Sequence, residues 1–143
     1  TWMHAAMTRV FIKKSDLDDQ YLASAGDFSI TIERGEKSAP RSVELLLFGL
    51  GACTISTVSH YMQRKGLPLT NLGIELSANL DEKENFYDGL KMTLQFDDAI
   101  SEENRKIIRA IAKNCRIHRT LERRPQINIE LAAPSGAATP TMV

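Results

Sequence analysis

The chain holds only two cysteines in 143 residues, Cys53 and Cys115. Two are too few for the disulfide framework of a small secreted domain, so a reducing cytosol is the expected compartment. The opening residues Thr1 to Met7 lack the charged-then-apolar layout of a secretion signal, and position 1 is not Met. Residues 1–7 are therefore expected to be a leader, in part vector-derived, with a native start at Met3 or Met7. No uncharged apolar stretch reaches the roughly 18 residues of a membrane span. The longest apolar run, Val43 to Val58, contains Glu44 together with glycines and hydroxyl residues. It predicts a buried core helix, and no membrane partner.

An excess of either charge is also missing. Eighteen basic and 18 acidic residues cancel, so no nucleic-acid or anionic-surface partner is expected. The one basic run, Arg116, His118, Arg119, Arg123 and Arg124, has no interleaved aromatics and reads as a solvated helix end. No Cys-x2-Cys or His-x3-His pair is present, so neither a metal nor a cofactor is expected. Gly49 and Gly51 sit inside a helical pattern rather than between a strand and a helix, which excludes a phosphate-cradling loop. A Cys-His hydrolase is disfavoured because no acid or amide is placed to orient an imidazole.

What is present is a clear mixture of periods. Phe28, Ile30 and Ile32 alternate with polar residues, as do Ile74, Leu76 and Ala78, then Leu90, Met92, Leu94 and Phe96, and finally Ile127, Ile129 and Leu131. Each predicts a half-buried strand. Shorter strands are expected at Val10 to Lys13 and Tyr21 to Ala25, and the polar stretch Asp81 to Asp88 predicts a long hairpin loop. A first helix is expected from Ser42 to Lys65, ended by Gly66 and Pro68. A second is capped by Ser101, with Ile107, Ile111 and Cys115 on one buried face. Residues 8–131 form one α+β domain in this reading, and residues 132–143 a low-information tail.

The first helix is apolar nearly all round, and one sheet with one further helix in the same chain can hardly enclose it. A homodimer that packs two such helices together does so more easily. Gly49, Gly51 and Ala52 would then allow close approach, either at that contact or against the chain's own sheet.

The segment from Glu44 to Thr54, Glu-Leu-Leu-Leu-Phe-Gly-Leu-Gly-Ala-Cys-Thr, followed by Thr57-Val58 and Lys65-Gly66, resembles the helix of the OsmC/Ohr superfamily. Cys115 with Thr120-Leu121 resembles that family's second cysteine segment. The resemblance covers residues 8 to 131 and implies antiparallel sheets wrapping a long central helix, plus a second helix, in an intertwined homodimer. It implies a thiol peroxidase in which Cys53 attacks a small organic hydroperoxide and Cys115 resolves the sulfenic acid as a disulfide. A dithiol such as a lipoyl group then restores both thiols. The peroxidase members carry a Pro-Glu pair with its carboxylate ten positions before the attacking cysteine, where this chain has Ser42 and Val43.

Glu44 stands nine before, and nine helical residues turn through about 180° while ten turn through about 280°. Glu44 is thus expected to point away from Cys53 and serve the helix N-terminus, although it is the nearest match to the family carboxylate. The family's activating arginine has Arg9 as its candidate, with Arg34 and Arg41 behind it. The expected substrate pocket is lined by Phe48, Ile55 and Met62. The alternative is a non-catalytic protein of the same fold that binds a small apolar ligand at the dimer interface, its cysteines structural.

Overall fold

A computed structural model describes residues 7–34 and 38–134. Residues 1–6 of the expected leader and the end of the tail lie outside the described residues. The N-terminal part is an antiparallel sheet of β1 (Phe11–Lys14), β2 (Gln20–Ala25) and β3 (Phe28–Glu33) in the order β1-β2-β3. Ala25 pairs with Phe28 across a two-residue turn, and Gly26 closes it at φ 59, where a side chain would be strained. The apolar alternation of β3 is covered only at its end: Ile32 is buried, whereas Phe28 is 80% exposed.

Helix α1 (Ser42–Arg64) follows. Its C-terminus is a Schellman motif: the Leu67 amide donates to the Met62 carbonyl at 2.9 Å and the Gly66 amide to the Gln63 carbonyl at 3.1 Å. Gly66 adopts φ 68 there, which accounts for the stop expected at this glycine. By composition α1 is long and apolar enough to cross a membrane, with a mean hydropathy of 1.5 over eighteen residues. It packs in part on the sheet and helices that follow it in the chain. Gly51 faces β4, where an added Cβ would stand 2.7 Å from Leu76 Cδ1, so glycine sets how closely helix and sheet approach.

The hairpin of β4 (Gly73–Asp81) and β5 (Phe86–Gln95) is longer, and its loop shorter, than the polar stretch suggested. Asp81 pairs with Phe86, which leaves four residues in the turn, and Asn85 takes φ 59 there. The register slips by one residue between Ser77 and Asn79, opposite Gly89 at φ 66. Polarity over Asp81 to Asp88 therefore marks a solvated hairpin end, not a break in pairing.

The expected second helix is two helices. α2 (Glu102–Ala112) is capped by Ser101, whose hydroxyl accepts from the Asn104 amide at 3.1 Å. α3 (Arg116–Glu122) follows after a short turn. Ile108 and Ala112 form the buried stripe of α2, while Ile107 is exposed, so the expected Ile107-Ile111-Cys115 face is displaced by one residue. The core gathers Val58 and Met62 of α1, Ile100, and Ile108 and Ala112 of α2, with Leu94 and Phe96 packed against it. Burying each large member contributes about 2 kcal/mol.

Among the described residues, 127–131 pair with no strand. Ile127, Ile129 and Leu131 are all at least 84% exposed, so the expected half-buried strand is an extended segment. Alternation gives it two distinct faces, but a strand also needs a partner, and it pairs with none of the edges of the two open sheets.

Candidate functional site

Cys53 lies at the middle of α1, half-buried, just before two threonines that serve the helix backbone. The Thr57 hydroxyl donates to the Cys53 carbonyl at 2.9 Å, and the buried Thr54 hydroxyl donates to the Leu50 carbonyl at 2.9 Å. Cys115 comes from the turn that ends α2. The amides of Asn114 and Cys115 donate to the carbonyls of Ile111 and Ala112, closing α2 early. Cys115 then takes an extended conformation, φ −58 and ψ 134, as the N-cap of α3. Its sulfur accepts from the His118 amide at 3.5 Å, in place of the hydroxyl or carboxylate usual at such a cap. The side chain has no exposed surface.

The two thiols meet. Both are free, and Cys53 stands beside Cys115, close enough to act on its ionisation. Burial pushes the Cys115 thiol up. The polar groups around the sulfur, Cys53 first and then the His118 amide that donates to it, outweigh that, so Cys115 ionises below its ordinary value of 9.0. The pair is thus asymmetric: Cys115 is enclosed, while Cys53 opens onto a cavity of about 640 Å³ with Thr57, Arg116, Arg119, Thr120 and Arg123.

That lining differs from the expected one. Met62 is fully buried in the core. Phe48 and Ile55 line a separate groove beside Gly51 and Leu76. The basic run read as a solvated helix end supplies the cavity wall instead. Its signal was the i, i+3, i+7 spacing of Arg116, Arg119 and Arg123, which gathers them on one face of a helix.

Glu44 and the candidate arginines stand elsewhere in the chain. Glu44 accepts from the Arg41 amide at 2.9 Å and from Arg41 Nε at 3.3 Å, closing a capping box at the start of α1. The Arg41 amide is the main cause that holds its carboxyl below the usual value of 4.5, with the Arg41 guanidinium second. Nine residues of helix put it about 13 Å along the axis from Cys53. Arg9 is exposed just before β1, where its Nε donates to Met7 Sδ at 3.3 Å. Arg34 lies just after β3 and lines a pocket with Arg41 and Ser42 at the head of α1. Within one chain none of these residues lines the Cys53 cavity.

His118 has the partner that the sequence did not reveal. Its Nε2 lies 2.6 Å from Glu122 Oε1, one turn on in α3. The absence of an orienting acid is thereby corrected. The ring lines a different cavity, of about 330 Å³ over Leu50, Met92, Leu94 and Leu121. What reaches the Cys115 sulfur from His118 is its backbone amide. Among the described residues no group of three or more His, Cys, Asp or Glu is placed to hold a metal.

The family model for OsmC-like proteins matches residues 35–130. A comparison with proteins of curated function returns no match. Among solved structures, the chain is similar to an OsmC-like protein from Mycoplasma pneumoniae at 20% identity and a TM-score of 0.66, covering 81% of this chain and 87% of that one. It is similar to the organic hydroperoxide resistance protein OhrB of Bacillus subtilis at 13% identity and a TM-score of 0.60, covering 81% and 90%. An organic hydroperoxide resistance protein OsmC from Legionella pneumophila aligns at 16% identity and a TM-score of 0.57, covering 80% and 88%. With a long central helix, antiparallel sheets and two cysteines brought together between helices, the chain belongs to the OsmC-like family.

Proposed function

We propose that this protein is a thiol-dependent peroxidase that reduces organic hydroperoxides through Cys53 and Cys115. The observation that carries the reading is the asymmetric thiol pair, one sulfur open to a cavity and the other enclosed beside it. Cys53 attacks the distal oxygen of the peroxide, an S–O bond forms and the O–O bond breaks. The Cys53 proton passes to Cys115 and on to the departing alkoxide, which leaves as the alcohol. The Cys115 thiolate then attacks the sulfenic sulfur, the disulfide forms, and the displaced hydroxide takes a proton from solvent as water. A dithiol such as a lipoyl group supplies the two electrons that return both cysteines to thiols. The names of the Bacillus subtilis and Legionella pneumophila proteins, both organic hydroperoxide resistance proteins, support the substrate class.

A homodimer is part of this reading. Leu46, Gly49, Cys53, Ser56 and His60 recur along α1 at spacings of three and four and form an incompletely covered stripe. Phe28 and Ile129 lie open on the two ends of the chain, where a second copy would cover them. The roles that the resemblance gives to Arg9 and Glu44 require that second copy, because neither approaches Cys53 within one chain.

The test is thiol titration after one equivalent of cumene hydroperoxide. Loss of both thiols with formation of one disulfide, at least a hundredfold faster than for a free thiol, is expected. Retention of both thiols at the uncatalysed rate overturns the reading. The apolar cavity over Leu50, Met92 and Leu94 favours the alternative of an apolar-ligand binder. That alternative predicts ligand uptake with no change in either thiol.

A further inference from the structure

α3 has two chemically different sides. Arg116, Arg119 and Arg123 are three and four positions apart, so they fall within about 60° of arc. With Thr120 they face Cys53 across its cavity. His118, Leu121 and Glu122 face the other cavity, against β5. Among the described residues the two ion pairs are Arg41–Glu44 and His118–Glu122, so no carboxylate there neutralises the three guanidiniums. The acid on α3 itself, Glu122, is held by His118 on the far side. Like charges one turn apart repel. In a chain whose 18 basic and 18 acidic residues cancel, three cations gathered at the opening to one thiol form a local positive field that the fold does not balance. A guanidinium fork matches a carboxylate with two parallel hydrogen bonds, which makes that group the fitting counter-charge.

We propose that Arg116, Arg119 and Arg123 form a recognition site for the carboxylate of the small molecule that reacts at Cys53. The proposal rests on the reading of Cys53 as the reacting thiol. The carboxylate belongs either to the hydroperoxide or to the thiol that later reduces the disulfide, since both reach the Cys53 sulfur through the same opening. The peroxidase cycle above needs none of these arginines for its bond changes. They act on which molecule arrives and how it is held.

The first experiment needs no peroxide turnover. The full-length reduced protein is alkylated with iodoacetate or with neutral iodoacetamide, and modification of Cys53 is followed by peptide mass. In each case the sulfur forms a C–S bond, iodide leaves and the thiol proton goes to buffer. The iodoacetate-to-iodoacetamide rate ratio at Cys53 is expected to exceed that of a small free thiol at least fivefold. Arg119→Gln with Arg123→Gln should remove that excess while changing the iodoacetamide rate less than twofold. Arg109→Gln, on the opposite cavity, should leave the ratio unchanged. Should the first double variant fold poorly, Arg116→Gln with Arg119→Gln makes the same test. A ratio that neither double variant lowers overturns the site, whether or not the protein is a peroxidase.

Two further arms separate the sources. Oxidation is timed with a tertiary hydroperoxide bearing a terminal carboxylate and with its methyl ester. Reduction of the disulfide is timed with dihydrolipoate and with dihydrolipoamide. The Arg119→Gln, Arg123→Gln variant should slow the acid at least fivefold, and not its neutral counterpart, in the half-reaction whose ligand carries the carboxylate. Equal effects on acid and neutral forms in both half-reactions overturn the assignment to a reacting molecule.

Discussion

Cys115 is the residue on which local physics concentrates. A buried thiol is ordinarily harder to ionise, because the charge loses its water. Here the neighbouring Cys53 thiol and the His118 amide that donates to the sulfur reverse that tendency. A group whose folded pKa lies below its unfolded value adds stability that is complete above the unfolded value, here 9.0. That contribution is lost as pH falls through the folded pKa. Thiolate absorbance at 240 nm should therefore show one cysteine ionising below its ordinary range. Cys115→Ser should abolish this early step. Cys53→Ser should keep it in part, since the serine hydroxyl still donates. Cys53→Ala should move it upward, toward the value of a buried thiol. An early step that survives Cys115→Ser would place the thiolate on Cys53 and reverse the order of proton transfer proposed above.

At the scale of elements, the same sulfur is a helix cap. Cys115 accepts the His118 amide at the start of α3, so replacing it tests structure and chemistry separately. Cys115→Ser keeps an acceptor at the cap and should hold the thermal midpoint within about a degree or two while removing disulfide formation. Cys115→Ala loses the acceptor and should cost about 1 kcal/mol of unfolding free energy in denaturant titration. Equal stability of the two variants would show that the cap contributes nothing.

The split between α2 and α3 is also where the sequence was hardest to read. Ile107, Ile111 and Cys115 keep helical spacing straight through the break, because periodicity says nothing of a two-residue turn whose amides still bond backward. Ser101 and Gly66 were legible because each makes its own local hydrogen bond or backbone conformation. The cysteine pair was legible through rarity and resemblance. Its arginine wall was not, since the run from Arg116 to Arg124 reads as surface until the opposite face of α3 is known to be occupied. The displacement of Glu44 to the helix head was legible from one count, nine residues against ten.

At the scale of the whole molecule, the unanswered surface is α1. Gly49 is exposed, and an added Cβ there meets nothing within 4 Å, unlike Gly51 against Leu76. A side chain at Gly49 therefore fits the isolated chain and should raise helix stability by about 0.8 kcal/mol. In a dimer whose α1 helices meet along the stripe of Gly49, Ser56 and His60, the same side chain would force two backbones apart. Gly49→Leu thus has opposite consequences for chain and assembly. Sedimentation should find the natural protein at twice its 16.0 kDa chain mass, and Gly49→Leu should raise the dimer dissociation constant at least tenfold. If the natural protein sediments as a single chain at tens of micromolar, the dimer fails. If Gly49→Leu dimerises as tightly as the natural protein, the dimer stands but its helices do not meet at Gly49, and another open surface, such as the Phe28 face or residues 127–131, must carry the contact.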